Sequence, residues 1–131
     1  KIMGIDYGTK RVGIAFSDIG ENMAFPNSVI PNTGNLASLI IDMARKEEVE
    51  TVVLGEPGEG SLKKEIKKFG LELEKAGLNV FFQKEFMTSL HTDMFTKTKP
   101  IARKTKQKVE PKKDESAAAL ILQRYLDKQR T

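Results

Sequence analysis

The stretch Gly4-Ile5-Asp6-Tyr7-Gly8-Thr9-Lys10-Arg11-Val12-Gly13-Ile14-Ala15-Phe16-Ser17-Asp18 decides the reading of this chain, because it sets one acidic side chain between two short apolar runs joined by a turn. Ile2, Met3 and Ile5 precede the turn. After it Val12, Ile14 and Phe16 recur at period two, with Gly13, Ala15 and Ser17 on the other face, an alternation that belongs to a sheet. Gly8, Thr9 and Lys10 form the connection, Gly8 being expected to take a positive φ, and a link this short forces antiparallel pairing. Asp6 thus lies near the end of a buried strand. A carboxylate there must be hydrogen-bonded, paired or metal-bound. Two readings follow: Asp6 accepts hydrogen bonds from the turn amides of Gly8 and Thr9, or it is a functional group.

Working outward, Asp18 to Pro31 carries the breakers Gly20, Asn22, Pro26, Asn27 and Pro31 around Met23, Ala24 and Phe25 and then Val29 and Ile30, which predicts a third strand with irregular ends. Thr33-Gly34-Asn35 marks a helix start, and Leu36, Leu39, Ile40, Met43, Ala44 and Glu47 follow helical spacing. Thr51-Val52-Val53-Leu54 is wholly apolar and ends at Gly55-Glu56-Pro57-Gly58-Glu59-Gly60, as a buried parallel strand and its loop do. Ser61 can cap a second helix with Leu62, Ile66, Phe69, Leu73 and Ala76 inward, stopped by Gly77. Lys63, Lys64, Lys67 and Lys68 lie mostly off that face, as a solvated side or as support for a nucleic acid. Leu78 to Gln83 predicts another strand, with Glu85 at its carboxyl end and a short helix through Leu90, Met94 and Phe95 beyond. Asp114 opens a last helix packed through Ala118, Ile121, Leu122 and Tyr125, and as its N-cap would contribute about 1 kcal/mol.

This order of three strands, helix, strand, helix, strand, helix implies an α/β mixed sheet with an antiparallel edge and helices on both faces. Ligands of such sheets collect beyond the carboxyl ends of the parallel strands, where Asp6 and Glu85 both fall.

The chain has 131 residues, 39% of them hydrophobic, and no apolar run long enough to span a bilayer, as expected of a single globular domain covering 1–131. It leads from Lys1 straight into the hairpin, so no secretory signal is expected and a cytoplasmic location is the default. With no cysteine, disulfides, zinc-thiolate centres and cysteine nucleophiles are excluded. The net charge of +4 is unevenly spread. Lys97, Lys99, Arg103, Lys104, Lys106, Lys108, Lys112 and Lys113 stand against the single acid Glu110, a local +7, while the rest of the chain carries −3. A mildly acidic body with one basic, flexible loop at about 97–113 suggests a polyanionic partner met at one place; a solvated loop is the plainer reading.

Gly4-Ile5-Asp6-Tyr7-Gly8-Thr9-Lys10-Arg11-Val12-Gly13-Ile14-Ala15, Val52-Val53-Leu54-Gly55-Glu56-Pro57 and Asp114-Glu115-Ser116-Ala117-Ala118-Ala119-Leu120-Ile121-Leu122 together resemble the YqgF/RuvX-type Holliday junction resolvases of the ribonuclease H-like superfamily. The likeness covers nearly the whole chain. The hairpin alone also looks like the phosphate-binding hairpin of the sugar kinase and actin ATPase fold, which needs two such domains and a far longer chain.

The resemblance implies a five-stranded mixed sheet whose second strand is antiparallel, flanked by helices. It implies a nuclease on structured nucleic acid, resolving branched DNA in recombination or maturing the 5′ end of small-subunit ribosomal RNA in ribosome biogenesis. Asp6, Glu85 and Asp114 match its site carboxylates. An all-oxygen set suits Mg²⁺, with Mn²⁺ as a substitute, and the lone His91 is then a surface residue. Lys10, Arg11 and the 97–113 segment would contact phosphates without reading sequence. The family usually has Asp-Glu-Arg where this chain has Lys84-Glu85-Phe86. If the strand continues, Lys84 points away from Glu85; if it has ended, its ammonium competes with a metal ion. A nucleic-acid-binding protein of the same fold with little activity is therefore the second reading. Monomer and homodimer are both compatible with the sequence.

Overall fold

A computed structural model of the chain describes residues 1–57, 62–84 and 113–130, with the side chains of 113–116 and 130 left aside. Its elements are β1 (Ile2–Tyr7), β2 (Arg11–Ser17), β3 (Ala24–Pro31), α1 (Leu36–Lys46), β4 (Thr51–Glu56), α2 (Leu62–Lys75), β5 (Asn79–Lys84) and α3 (Lys113–Arg130). The five strands form one sheet in the order β3-β2-β1-β4-β5. β2 runs antiparallel to both its neighbours, whereas β1, β4 and β5 are parallel, so β2 alone is reversed. The expected mixed sheet is thus present, with β1 at its centre.

Two apolar layers hold it. On one face Met3, Ile5, Val12, Ile14, Val52 and Leu54 pack against Leu36, Ile40 and Ala44 of α1 and Ile66, Phe69 and Leu73 of α2. On the other Ile2, Ala15 and Val53 meet Ala118, Ile121, Leu122 and Leu126 of α3. Each large aliphatic side chain so buried contributes about 1.5–3 kcal/mol. The alternation read from the hairpin therefore sorts correctly, odd residues of β1 facing α1 and α2, even ones facing α3. Among the described residues no helix is long and apolar enough to cross a membrane.

Several local expectations are corrected. Leu39 is 38% exposed, because the buried stripe of α1 follows Leu36, Ile40 and Ala44 and turns toward Ala37 and Ile41. Asn35 stands at the N-cap of α1 without a side-chain bond to the helix; its Oδ1 accepts from the Thr33 hydroxyl instead. β5 begins and ends one residue later than expected and includes Lys84. Gly8 does not take a positive φ; a Cβ there would lie 2.5 Å from the Arg11 carbonyl oxygen, so a close backbone approach is what demands glycine.

The helix ends are closed by backbone bonds. Gly77, at φ +100°, donates to the Glu74 carbonyl while Leu78 donates to Leu73, which makes the left-handed cap expected after α2. After α1 the same pair of bonds runs from Glu48 to Arg45 and from Val49 to Ala44, with Glu48 at φ 58°. A glutamate occupies the left-handed position there. Ser61, Gly58-Glu59-Gly60 and the helix expected through Leu90, Met94 and Phe95 lie outside the described residues.

Candidate functional site

Asp6 is the penultimate residue of the central strand and is half-buried. Its even position puts it on the α3 face, beside the carboxyl edge of the sheet. Directly opposite it on β2 is Gly13. On the other flank Ile5 pairs with Leu54, so the next residue along β4 is Gly55. The two positions in register with Asp6 therefore carry no side chain.

The turn that follows Asp6 is fixed from a distance. Asn32, just past β3, donates from Nδ2 to the Gly8 carbonyl at 2.7 Å and from its backbone N–H to the Lys10 carbonyl at 2.9 Å. These bonds hold the tip of the hairpin, and with it the cleft of 280 Å³ lined by Asp6, Gly8, Thr9, Lys10, Arg11 and Gly13. Lys10 and Arg11 are exposed on its rim. A second cleft, of 250 Å³, opens on the opposite face between Tyr7, Gly34 and Phe69, away from Asp6.

The direction of α3 follows from its contacts. Ala118 and Leu122 sit against Gly4, where a Cβ would come within 2.7 Å of the Leu122 Cβ. Gln123 clamps the other end of the sheet: its Oε1 accepts from the Ala24 N–H at 2.8 Å and its Nε2 donates to the Asn22 carbonyl at 3.0 Å. The helix thus runs against the direction of β1, and its first turn, which contains Asp114, leads toward the edge where β1 ends. The side chains of Asp114 and Lys113 are not among those described, and Glu85 lies outside the described residues. Among the described residues no group of three or more His, Cys, Asp or Glu forms a metal-sized cluster. Of the three carboxylates expected to converge, Asp6 is the one whose side chain is described.

Lys84 is on the far side. Val80 packs with the α1 and α2 core, Phe82 approaches Gly70 of α2, and Lys84 continues that face in register with Glu56. Gln83, between them, faces α3, where its Oε1 is 3.5 Å from the Lys128 ammonium. β5 extends through Lys84, so this ammonium projects away from the face that carries Asp6. Phe86, His91, Lys97, Lys99, Arg103, Lys104, Lys106, Lys108 and Lys112 lie outside the described residues.

Sequence reasoning missed Asn32, Gly55 and the full part of Gly13. The two glycines share Asp6's face by period-two counting, which is a usable signal once the strand order is known. Asn32 had none, since its partner Gly8 is 24 residues away.

The comparisons with known proteins agree with this geometry. The family model described as "RuvX: Holliday junction resolvase" matches residues 1–128. A protein of Endomicrobium trichonymphae named "Putative pre-16S rRNA nuclease" is 34% identical over 139 residues, covering 97% of this chain and 95% of that protein. One of the same name from Nitratidesulfovibrio vulgaris is 32% identical over 135 residues, covering 97% and 93%. Among solved structures, the fowlpox virus resolvase in complex with Holliday junction DNA is similar in fold, with a TM-score of 0.58 at 13% identity over 99% of both chains. The five-stranded sheet with one reversed strand is the ribonuclease H-like fold, and this chain belongs to the RuvX family.

Proposed function

We propose that this protein is a divalent-metal-dependent endonuclease that hydrolyses phosphodiesters of structured nucleic acid, a DNA junction or the 5′ end of a ribosomal RNA precursor. The observation that carries the reading is Asp6 at the carboxyl end of the central strand, flanked on its own face by Gly13 and Gly55, with Lys10 and Arg11 on the rim of the same cleft.

Asp6, Glu85 and Asp114 are the residues that would hold the ions, Mg²⁺ by preference and Mn²⁺ as a substitute. The donor set fits, since small hard cations take carboxylate oxygens and water. Such ions, when bound, supply acidification of a water and charge for the leaving oxyanion. The chain's own part is to fix the Asp6 carboxylate on a strand paired on both sides, to leave room beside it, and to draw the phosphate backbone toward it. Lys10 and Arg11 do the last without reading bases. Lys97, Lys99, Arg103, Lys104, Lys106, Lys108, Lys112 and Lys113 would extend the same contact. The names of the relatives support the nuclease reading and both substrate classes.

The second reading is a nucleic-acid-binding protein of this fold with little hydrolysis, which the Lys84 and Phe86 departures suggest. The position of Lys84 on the α2 face weakens it, because that ammonium does not stand beside Asp6.

The test is to incubate the protein with four-way DNA junctions and structured precursor RNA, with Mg²⁺, with Mn²⁺ and with chelator, beside Asp6→Asn. Cleavage that needs the metal and vanishes in the variant is expected. Binding of either substrate without cleavage in any metal would favour the second reading, and cleavage that persists in Asp6→Asn would sink the site.

A further inference from the structure

Asn32 does more than close the end of β3. Its Nδ2 donates to the Gly8 carbonyl at 2.7 Å and its backbone N–H to the Lys10 carbonyl at 2.9 Å, so two carbonyls of the hairpin tip are tied to one residue outside the hairpin. Asn32 lines the cleft on the α1 and α2 side, whereas Gly8 and Thr9 line the cleft that holds Asp6. The Gly8 oxygen is therefore drawn toward the first of these faces. The Gly8–Thr9 peptide is trans, and in a planar trans peptide the C=O and the N–H point in opposite directions. The Thr9 N–H is thus turned toward the Asp6 cleft.

Thr9 is exposed and lies between β1 and β2, and among the described residues its N–H donates to no protein acceptor. A peptide N–H held from behind and open in front is a preorganised donor, which needs no reordering when an acceptor arrives. An exposed lysine such as Lys10 must instead give up rotamer freedom to make its contact. Lys10 and Arg11 on the same rim set the sign of the ligand, an anion, and backbone N–H groups are regular partners of phosphate oxygens.

We propose that the Thr9 N–H is a phosphate-binding donor of the Asp6 cleft and that Asn32 is the positioning residue that aims it. This rests on a nucleic-acid backbone meeting the cleft, which the nuclease reading and the binding-protein reading share. Lys10 and Arg11 draw the backbone in; the amide, whose direction is fixed, sets where one phosphate stops. Because the amide carries no net charge it releases no counterion, so it adds to affinity without adding to the salt dependence.

The test is a set of binding isotherms on the full chain with the four-way DNA junction and the structured precursor RNA, at several salt concentrations and in chelator. Cleavage plays no part there, so a protein that never cuts still answers the question. Three forms stand beside the wild type: one with the Gly8–Thr9 amide replaced by an ester, which removes the N–H and keeps every side chain, Asn32→Ala, and the two combined. Circular dichroism shows that each folds. The ester is expected to weaken binding about tenfold, as loss of one hydrogen bond to a charged group does, with the slope of log affinity against log salt unchanged. Asn32→Ala should cost a similar factor at the same slope, and the combined form should bind no worse than the ester alone, because Asn32 acts through that N–H. An ester form that binds like the wild type, or one whose salt slope falls, overturns the donor. Losses that multiply in the combined form overturn the role of Asn32. A wild type that binds neither nucleic acid overturns both, whereas binding with the expected ester effect and no cleavage in any metal leaves the proposal standing and sinks the nuclease reading alone.

Discussion

Gly13 stands directly opposite Asp6 across the antiparallel β1–β2 ladder, on the face of the sheet that α3 covers. A side chain at that position would share the α3 face with the carboxylate. Gly13→Ala should therefore lower single-turnover cleavage, by roughly 100-fold if the bound groups move by about 1 Å, while affinity for the nucleic acid changes little. The check is single-turnover kinetics at saturating metal together with a binding isotherm. Equal losses in both would mean that the glycine serves the fold and not the chemistry.

Lys10 sits exposed on the rim of the Asp6 cleft. Lys10→Ala should weaken binding to all sequences alike. It should also reduce the slope of log affinity against log salt by about 1, the signature of one phosphate contact. Isotherms at several salt concentrations measure it, and an unchanged slope would take Lys10 out of the interface.

Asp18 predicts a pH effect. Its Oδ1 accepts from the Asn22 N–H at 2.8 Å and from the Met23 N–H at 3.1 Å. The amides of Met23 and then Asn22 hold its carboxyl below the usual carboxylate range. A group whose pKa is lowered by folding stabilises the fold above its unfolded pKa and ceases to do so as pH falls through the folded one. The melting-temperature gap between wild type and Asp18→Ala should thus be widest at neutral pH and close on strong acidification. A gap that grows in acid would have the wrong sign.

Glu48 closes α1 in the left-handed region at φ 58°, a conformation that costs an L-residue about 1–2 kcal/mol and glycine little. Glu48→Gly should stabilise the protein by about 1 kcal/mol, seen as a rise in melting temperature of about 4 °C. Thermal denaturation decides it, and a fall would mean that the side chain contributes more than the strained backbone removes.

What the residues disclosed before the structure follows from the range of the forces involved. Period-two alternation through Val12, Ile14 and Phe16 sorted the two faces, because a pleated strand permits no other arrangement once one face is buried. Asp6 stood out because an acid in an apolar strand is costly without a partner. The end of α1 was illegible: its cap is a backbone geometry on a glutamate, with Val49 closing it by a bond to the Ala44 carbonyl at 2.7 Å. Asn32 and Gln123 were equally silent, because the backbone groups they hold lie 24 and 99 residues away. Leu39 was misjudged since helical spacing gives the width of a stripe but not the angle at which the neighbouring sheet meets it.

Among the described residues the sheet has one side given to two helices and the other to a single helix seated on Gly4. Sequence drift in α1 and α2 can alter thermal tolerance, and the surface offered to another molecule, with the whole sheet between it and the face that carries Asp6. Drift in α3 has no such insulation. A protein partitioned in this way can exchange partners over evolutionary time on its outer layer and leave the face that carries Asp6 as it was.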